Sequence, residues 1–315
     1  MTIDSTSFFL TVSSREKRRK KEVFPYMRLI SSVNEMMAWA KEQRRVGHTI
    51  GLVPTMGYLH EGHLTLMRRA KENCEKVVVS IFVNPLQFGA GEDYEEYPRD
   101  LTRDSQLADS AGVDVIFAPA VKDMYPKGYS SFVEVEQVSD HLCGAARPGH
   151  FRGVTTVVSK LFNIVRPDIA FFGQKDAQQL AIIRRMVEDL NMGIAIVGVP
   201  IVREADGLAL SSRNVYLSPE ERKAALVLSQ SLKKAKELIA EGEGEAERIR
   251  QEIIKVIEAE PLANIDYVQI VDNRFIQPVE RLEGECLIAL AVRFGKTRLI
   301  DNLVMEVSPN DSHDA

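Results

Sequence analysis

The run Lys76 to Val83, KVVVSIFV, constrains the fold more than any other stretch of this chain. It is nearly continuous in apolar, β-branched residues and does not alternate. A strand with one wet face alternates between apolar and polar residues. A strand written this way is covered on both faces, as in a parallel sheet flanked by helices. Similar strand-like runs occur at Thr49–Val53, Val113–Ala118, Ile169–Phe172 and Ile194–Val199. Between them the spacing predicts helices at Val33–Arg45, His63–Cys74, Arg99–Ala111, Thr155–Val165 and Asp176–Asn191. Such alternation implies right-handed crossovers. The expected fold is therefore α/β, with a doubly wound, Rossmann-like parallel sheet over residues 27–201.

The pattern changes after Pro200. The sequence SPEE, with Ser218 before Pro219 and Glu221 three residues on, signals a helix start, and that helix is expected to run to about Ala240. A second helix to about Glu258 and strands at Ile265–Val271, Cys286–Val292 and Arg298–Leu303 complete a smaller C-terminal α+β domain over residues 202–308, followed by a tail at 309–315. Residues 1–26 differ in character, with an apolar patch FFLTV ahead of a basic run REKRRKK. A secretory signal has the opposite order. This stretch reads as a disordered extension or a start assigned upstream of Met27, with a transit-type segment as the alternative.

Composition excludes several classes. The net charge of -5 argues against a nucleic-acid partner, which calls for a basic face. No apolar stretch approaches the roughly 20 residues of a membrane span. Cys74, Cys143 and Cys286 are far apart with no CxxC, so they read as reduced thiols of a cytoplasmic protein.

Three segments carry chemistry. The first is PTMGYLHEGH, Pro54 to His63, which joins a strand to a helix and sets His60 and His63 three residues apart around Gly62. A helix start after a strand is an anion site, because its free N–H groups and dipole favour negative charge. The pair lacks the i, i+4 spacing of helical zinc ligands, so polyphosphate contact is the favoured reading; zinc and a purely structural pair are the others. The second is GQKDAQQ, Gly173 to Gln179. It offers Lys175 as a phosphate charge, Asp176 as a ribose ligand or helix cap, and Gln179 one turn into a helix. Gln87 in NPLQFG joins Gln179 as a second uncharged amide, and the two together suit a polyhydroxy acid. The third is LSSRN, Leu210 to Asn214, where Ser211, Ser212 and Arg213 can bind phosphate. Arg147, His150 and Arg152, in RPGHFRGV, are further candidates, read equally well as loop scaffolding.

PTMGYLHEGH, SIFVNPLQFG, YPRD, RPGHFRGV, FFGQKDAQQ, VREADGLALSSRN and RLIDN, in this order from Met27 to about Val307, resemble the pantoate–β-alanine ligases. That family is a nucleotidyltransferase branch of the Rossmann-like folds. The resemblance implies ATP contacts at Met56, Gly57, Tyr58, Leu59, His60, Glu61, Gly62, His63, Gly173, Gln174, Lys175, Asp176, Val202, Leu210, Ser211, Ser212 and Arg213. Gln87 and Gln179 would hold pantoate, with Gln87 also near β-alanine, and His63 matches the position assigned as proton donor. His60, His63, Lys175 and Arg213 are the expected catalytic set. Leu210 stands where many relatives have methionine, a volume-conserving change. The implied reaction activates pantoate as its adenylate with ATP and Mg²⁺ and passes it to β-alanine, in a homodimer with no resident protein-bound metal. A nucleotidyltransferase acting on a phosphorylated alcohol or mononucleotide, and an ATP sensor without turnover, remain as alternatives.

Overall fold

The computed structural model describes residues 27–307. The expectations for 1–26 and for the tail lie outside the described residues. The chain runs β1 (Arg28–Ile30), α1 (Val33–Arg45), β2 (Ile50–Thr55), α2 (Glu61–Asn73), β3 (Lys76–Ile81), α3 (Leu101–Ser110), β4 (Val115–Phe117), α4 (Val121–Met124), α5 (Leu142–Ala146), α6 (His150–Val165), β5 (Ile169–Gly173), α7 (Ala177–Asp189) and β6 (Ala195–Val199).

The six strands form one parallel sheet in the order β1-β4-β3-β2-β5-β6. On β3, Val77, Val78, Val79 and Ser80 are all buried, as a strand covered on both faces requires. Neighbouring residues on one strand feed different cores. Leu52 and Phe172 join the cluster with α1 and α6, whereas Val53 and Phe171 join the cluster with α2. From β2 the chain builds outward through β3 and β4, then returns to the other side of β2 for β5 and β6. This reversal opens a crevice beyond the carboxyl ends of β2 and β5, where ligands bind in such sheets.

The structure departs from the expectations in detail. β1 is not legible in the sequence, because three residues are too few to show a period; it is held as an edge strand by β4. Helix α6 starts at His150 rather than Thr155, behind Gly149 at φ 81°. The glycines of RPGHFRG hide this first turn in the sequence.

The C-terminal part holds α8 (Pro219–Ala224), α9 (Val227–Ala240), α10 (Ala246–Glu258), β7 (Ala263–Asp272), β8 (Gly284–Phe294) and β9 (Thr297–Val307). The Ser218–Glu221 capping box forms as expected, with Glu221 N–H on Ser218 Oγ at 3.2 Å and Ser218 N–H on Glu221 Oε2 at 2.9 Å. The single long helix is divided at Ala225 and Leu226, where ψ of -15° and -22° tightens the backbone into a 3₁₀-like turn. The three strands make an antiparallel sheet whose buried residues include Ile288, Leu290 and Val292, packed with Ile249, Ile253 and Ile257 of α10. Among the described residues, no helix is long and apolar enough to cross a membrane.

Candidate active site

The turn after β2 is built from its own donors. Thr55 Oγ1 donates to the Ser80 carbonyl at 2.7 Å and accepts from Gly57 N–H at 3.2 Å. Tyr58 is left-handed at φ 50°, and its N–H and that of Leu59 both donate to the carboxylate of Asp104 on α3, each at 2.7 Å. Asp104 is 1% exposed. Asp104 thus satisfies two N–H groups of the turn ahead of the helix cap, and Glu61 and Gly62 remain first-turn donors with no carbonyl four residues back within α2.

His60 is the N-cap of α2, and His63 lies in its first turn. Their rings are stacked with centroids 4.0 Å apart and planes tilted by 35°. His60 N–H donates to His63 Nδ1 at 3.3 Å, which fixes the His63 proton on Nε2 when the ring is neutral. A Cβ on Gly62 would lie 2.9 Å from His60 Cε1, so glycine makes room for the imidazole, rather than only for a ligand. Burial, then the charge of Lys175, lowers the pKa of His60 to about 4, despite an opposing pull from Asp176. Burial also depresses His63 well below the ordinary imidazole range, with His60 and Lys175 adding to the effect. Both rings are thus neutral at pH 7, and His63 is a neutral Nε2–H donor.

The turn after β3 presents Gln87 from a short 3₁₀ segment, Pro85–Gln87. Asn84 anchors it, donating to Gln87 Oε1 at 3.1 Å and to the Gly153 carbonyl at 3.0 Å and accepting from Tyr125 Oη at 2.8 Å. Gln87 Nε2 meets Met56 Sδ at 3.2 Å. Helix α6 lies directly on this turn: a Cβ on Gly153 would be 2.2 Å from the Leu86 carbonyl oxygen, so no other residue fits there without displacement. His150 Nδ1 contacts the Gln87 carbonyl at 2.8 Å, and Arg147 lies 3.0 Å from His150 Nε2. Burial, then Arg147, brings His150 to about 4. Arg147 is forked onto Glu92. Burial pushes that carboxyl up, but its bonds with Arg147 outweigh the effect and leave it at about 2. Arg152 points elsewhere, with its guanidinium 3.8 Å over the Phe132 ring.

Lys175 occupies the 3₁₀ turn Gln174–Asp176 between β5 and α7. Asp176 is the N-cap residue of α7 but makes no side-chain capping bond, which leaves its exposed carboxylate available to the crevice. The segment Val202–Leu210 forms a hairpin, with Arg203 bridged to Ala209 and Leu210 N–H on the Val202 carbonyl. It launches Ser211, Ser212 and Arg213. Ser211 Oγ accepts from Arg213 N–H at 3.2 Å, and buried Ser212 donates to the Tyr58 carbonyl at 3.3 Å. Arg213 is forked onto Asp93.

These loops meet. His60, His63, Gln87, Lys175, Gln179 and Arg213 all line one cavity of about 240 Å³, together with Met56, Gly62, Gly173, Asp176, Val202, Leu210, Ser211 and Ser212. It shares Arg147, Lys175, Asp176, Gln179 and Arg213 with a wider space of about 840 Å³ that extends toward β9. Five of the expected nucleotide contacts do not line either space. Gly57, Tyr58 and Leu59 form the turn behind it, Leu59 being fully buried in the core. Glu61 faces outward, paired with Arg68, and Gln174 presents its carbonyl to Asn302. Sequence reasoning missed Asp104, Asn84 and Tyr97, which shape the cavity. Each lies in a recognised segment or beside one, but nothing local marks which carboxylate or amide will fold back on a distant turn.

The chain is similar to known proteins over nearly all of its described length. The family model for pantoate-beta-alanine ligase matches residues 28–304. The pantothenate synthetase of Heliobacterium modesticaldum is 75% identical over 281 residues, covering 89% of this chain and 100% of that protein. That of Pelotomaculum thermopropionicum is 60% identical over 279 residues, covering 89% and 99%. The crystal structure of pantothenate synthetase from Thermus thermophilus superimposes with a TM-score of 0.85 at 49% identity, over 90% of this chain and 100% of that one. A pantoate-beta-alanine ligase from Francisella tularensis, complexed with beta-gamma ATP and beta-alanine, gives 0.73 at 34% identity, over 88% and 97%.

Proposed function

Because this chain belongs to the pantoate-β-alanine ligase family, we propose that it condenses pantoate with β-alanine at the expense of ATP, through a pantoyl adenylate, releasing AMP and pyrophosphate. The observation that carries this reading is the convergence of two imidazoles, an ammonium, a guanidinium and two uncharged amides on one crevice. The ligand set of the Francisella ligase supports it.

In the first half-reaction a pantoate carboxylate oxygen attacks the α-phosphorus, and the bond to the leaving pyrophosphate breaks. A carboxylate is a poor nucleophile toward a polyanion, so donors must meet the charge as it builds. Lys175 brings the full positive charge. His63 contributes its Nε2–H and His60 packs against it. Arg213, once released from Asp93, adds a fork for phosphate oxygens. Magnesium enters as part of the MgATP substrate. Gln87 and Gln179 hold the pantoate hydroxyls and carboxylate. In the second half-reaction the β-alanine amine attacks the acyl carbon and AMP leaves.

An acyl adenylate needs protection from water. Residues 27–201 provide the binding crevice in this reading, and 202–308 provide a lid through the Ser211–Arg213 segment. A homodimer in the cytoplasm is the assembly and location the family implies, and sedimentation tests the former. The deciding assay omits ATP, pantoate and β-alanine in turn while measuring AMP and pyrophosphate. Pantoate-dependent exchange of pyrophosphate into ATP, and AMP release that requires β-alanine, are expected. Exchange without pantoate would favour a different nucleotidyltransferase, and ATP binding with no exchange would leave only a sensor.

A further inference from the structure

The RLIDN segment, Arg298–Asn302, matches the family pattern but has no part in the chemistry above. It lies on β9 of the C-terminal sheet, yet its last two side chains reach both loops that carry the cationic groups. Successive side chains leave opposite faces of a strand, so one dipeptide can hold two different loops. Asn302 Nδ2 donates to the carbonyls of Gln174 and Lys175, both at 2.9 Å. Asp301 forks onto Arg203 at 2.7 and 2.8 Å, and Arg203 also donates to the Gly207 carbonyl within the hairpin that launches Ser211–Arg213. Asp301 and Asn302 are 2% and 4% exposed.

We propose that Asn302, with Asp301 beside it, is a positioning residue that sets Lys175 against Arg213 across the triphosphate site. The amide orientation is dictated by its partners, since a flipped side chain would set its oxygen against two carbonyl oxygens. Asn302 Oδ1 is buried with no partner. An apolar side chain would avoid the cost of that orphaned acceptor. What asparagine supplies here is therefore its pair of donors, spent on the turn that bears Lys175. The C-terminal sheet thus takes part in the site by fixing the spacing of groups on two loops.

This assignment rests on the proposed reaction. The omission assay on the unaltered protein tests that reaction, and a double-mutant cycle tests Asn302. Asn302→Asp keeps the outline of the side chain but confronts two carbonyls with a carboxylate. MgATP affinity by calorimetry, pantoate-dependent exchange and thermal unfolding are measured for Asn302→Asp, Lys175→Ala and the double variant. Asn302→Asp is expected to weaken MgATP binding or exchange at least tenfold while the KM for pantoate stays within twofold. In the Lys175→Ala background it should change MgATP affinity less than twofold. Asp301→Asn should also weaken MgATP binding, but its effect should persist in that background, because it acts through the other loop. Equal effects of Asn302→Asp in both backgrounds, or a pantoate KM that rises in step with lost thermal stability, would overturn the proposal. If Asn302→Asp does not fold, Asn302→Ser carries the same test with one donor and no added charge.

Discussion

Arg213 lies in a two-point fork with Asp93, Nε to Oδ2 at 3.0 Å and a terminal nitrogen to Oδ1 at 2.9 Å. The arginine expected to meet phosphate is thus already neutralised by a carboxylate from the loop after β3. Beside it, Glu92 does the same to Arg147. Asp93 thus competes with any bound phosphate for two of the five N–H donors of Arg213. Asp93→Asn removes the competing charge, so the KM for ATP should fall about threefold to tenfold, equivalent to roughly 0.7–1.4 kcal/mol. Steady-state kinetics at saturating pantoate measures this. An unchanged or higher KM would mean that the pair persists with nucleotide bound.

His63 has its Nδ1 committed to the His60 amide, and its Nε2–H is the donor left for a ligand. Loss of one preorganised donor of this kind costs roughly 3–4 kcal/mol in comparable sites. His63→Ala should therefore slow adenylate formation about a hundredfold or more. Pyrophosphate release within about tenfold of the unaltered protein, only ~1.4 kcal/mol, would remove His63 from the catalytic set.

Asp104 holds the turn that precedes both histidines. Burial raises its pKa, partly countered by the Leu59 and Tyr58 amides that it accepts. In Asp104→Asn a single amide oxygen faces two N–H donors, and the new NH₂ opposes one of them. An unsatisfied buried donor costs about 1–3 kcal/mol. The variant should melt several degrees lower, and its exchange rate should fall because the imidazoles lose their support. If it lowers the melting temperature but leaves exchange untouched, the histidines are held by α2 alone.

Acid should destabilise the folded chain in a defined window. His60 and His150 titrate near 4 when folded, against 6.5 for an unperturbed imidazole, and His63 is shifted the same way. Between those values the unfolded chain binds protons that the folded chain does not, so stability rises with pH. Lowering the pH from about 6.5 to about 4 should therefore shift the urea midpoint downward. Glu92, at about 2 when folded against 4.5 for an unperturbed carboxyl, extends the decline below that range. His150→Asn should flatten the upper part of the curve. A midpoint constant from about pH 7 to about 4.5 would mean these imidazoles are solvated and ordinary.

The sequence alone determined the α/β alternation and the loops that would meet at the crevice. KVVVSIFV could be read because double burial leaves a local mark, an unbroken apolar run. The Ser218–Glu221 box was legible for the same reason, since it depends on residues a few positions apart, whereas the first turn of α6 was hidden by its glycines. The roles of side chains within those loops were decided only by tertiary structure. Leu59 and Glu61 lie within PTMGYLHEGH, yet one fills the core and the other pairs with Arg68 in solvent. Asp104 reaches the turn at Tyr58 from 46 residues away, Asp93 reaches Arg213 across 120, and Asn302 reaches Lys175 across 127. Propensity and periodicity are properties of neighbours along the chain. A hydrogen bond between distant loops depends on how sheets stack and helices cross, and no local pattern in the sequence records that.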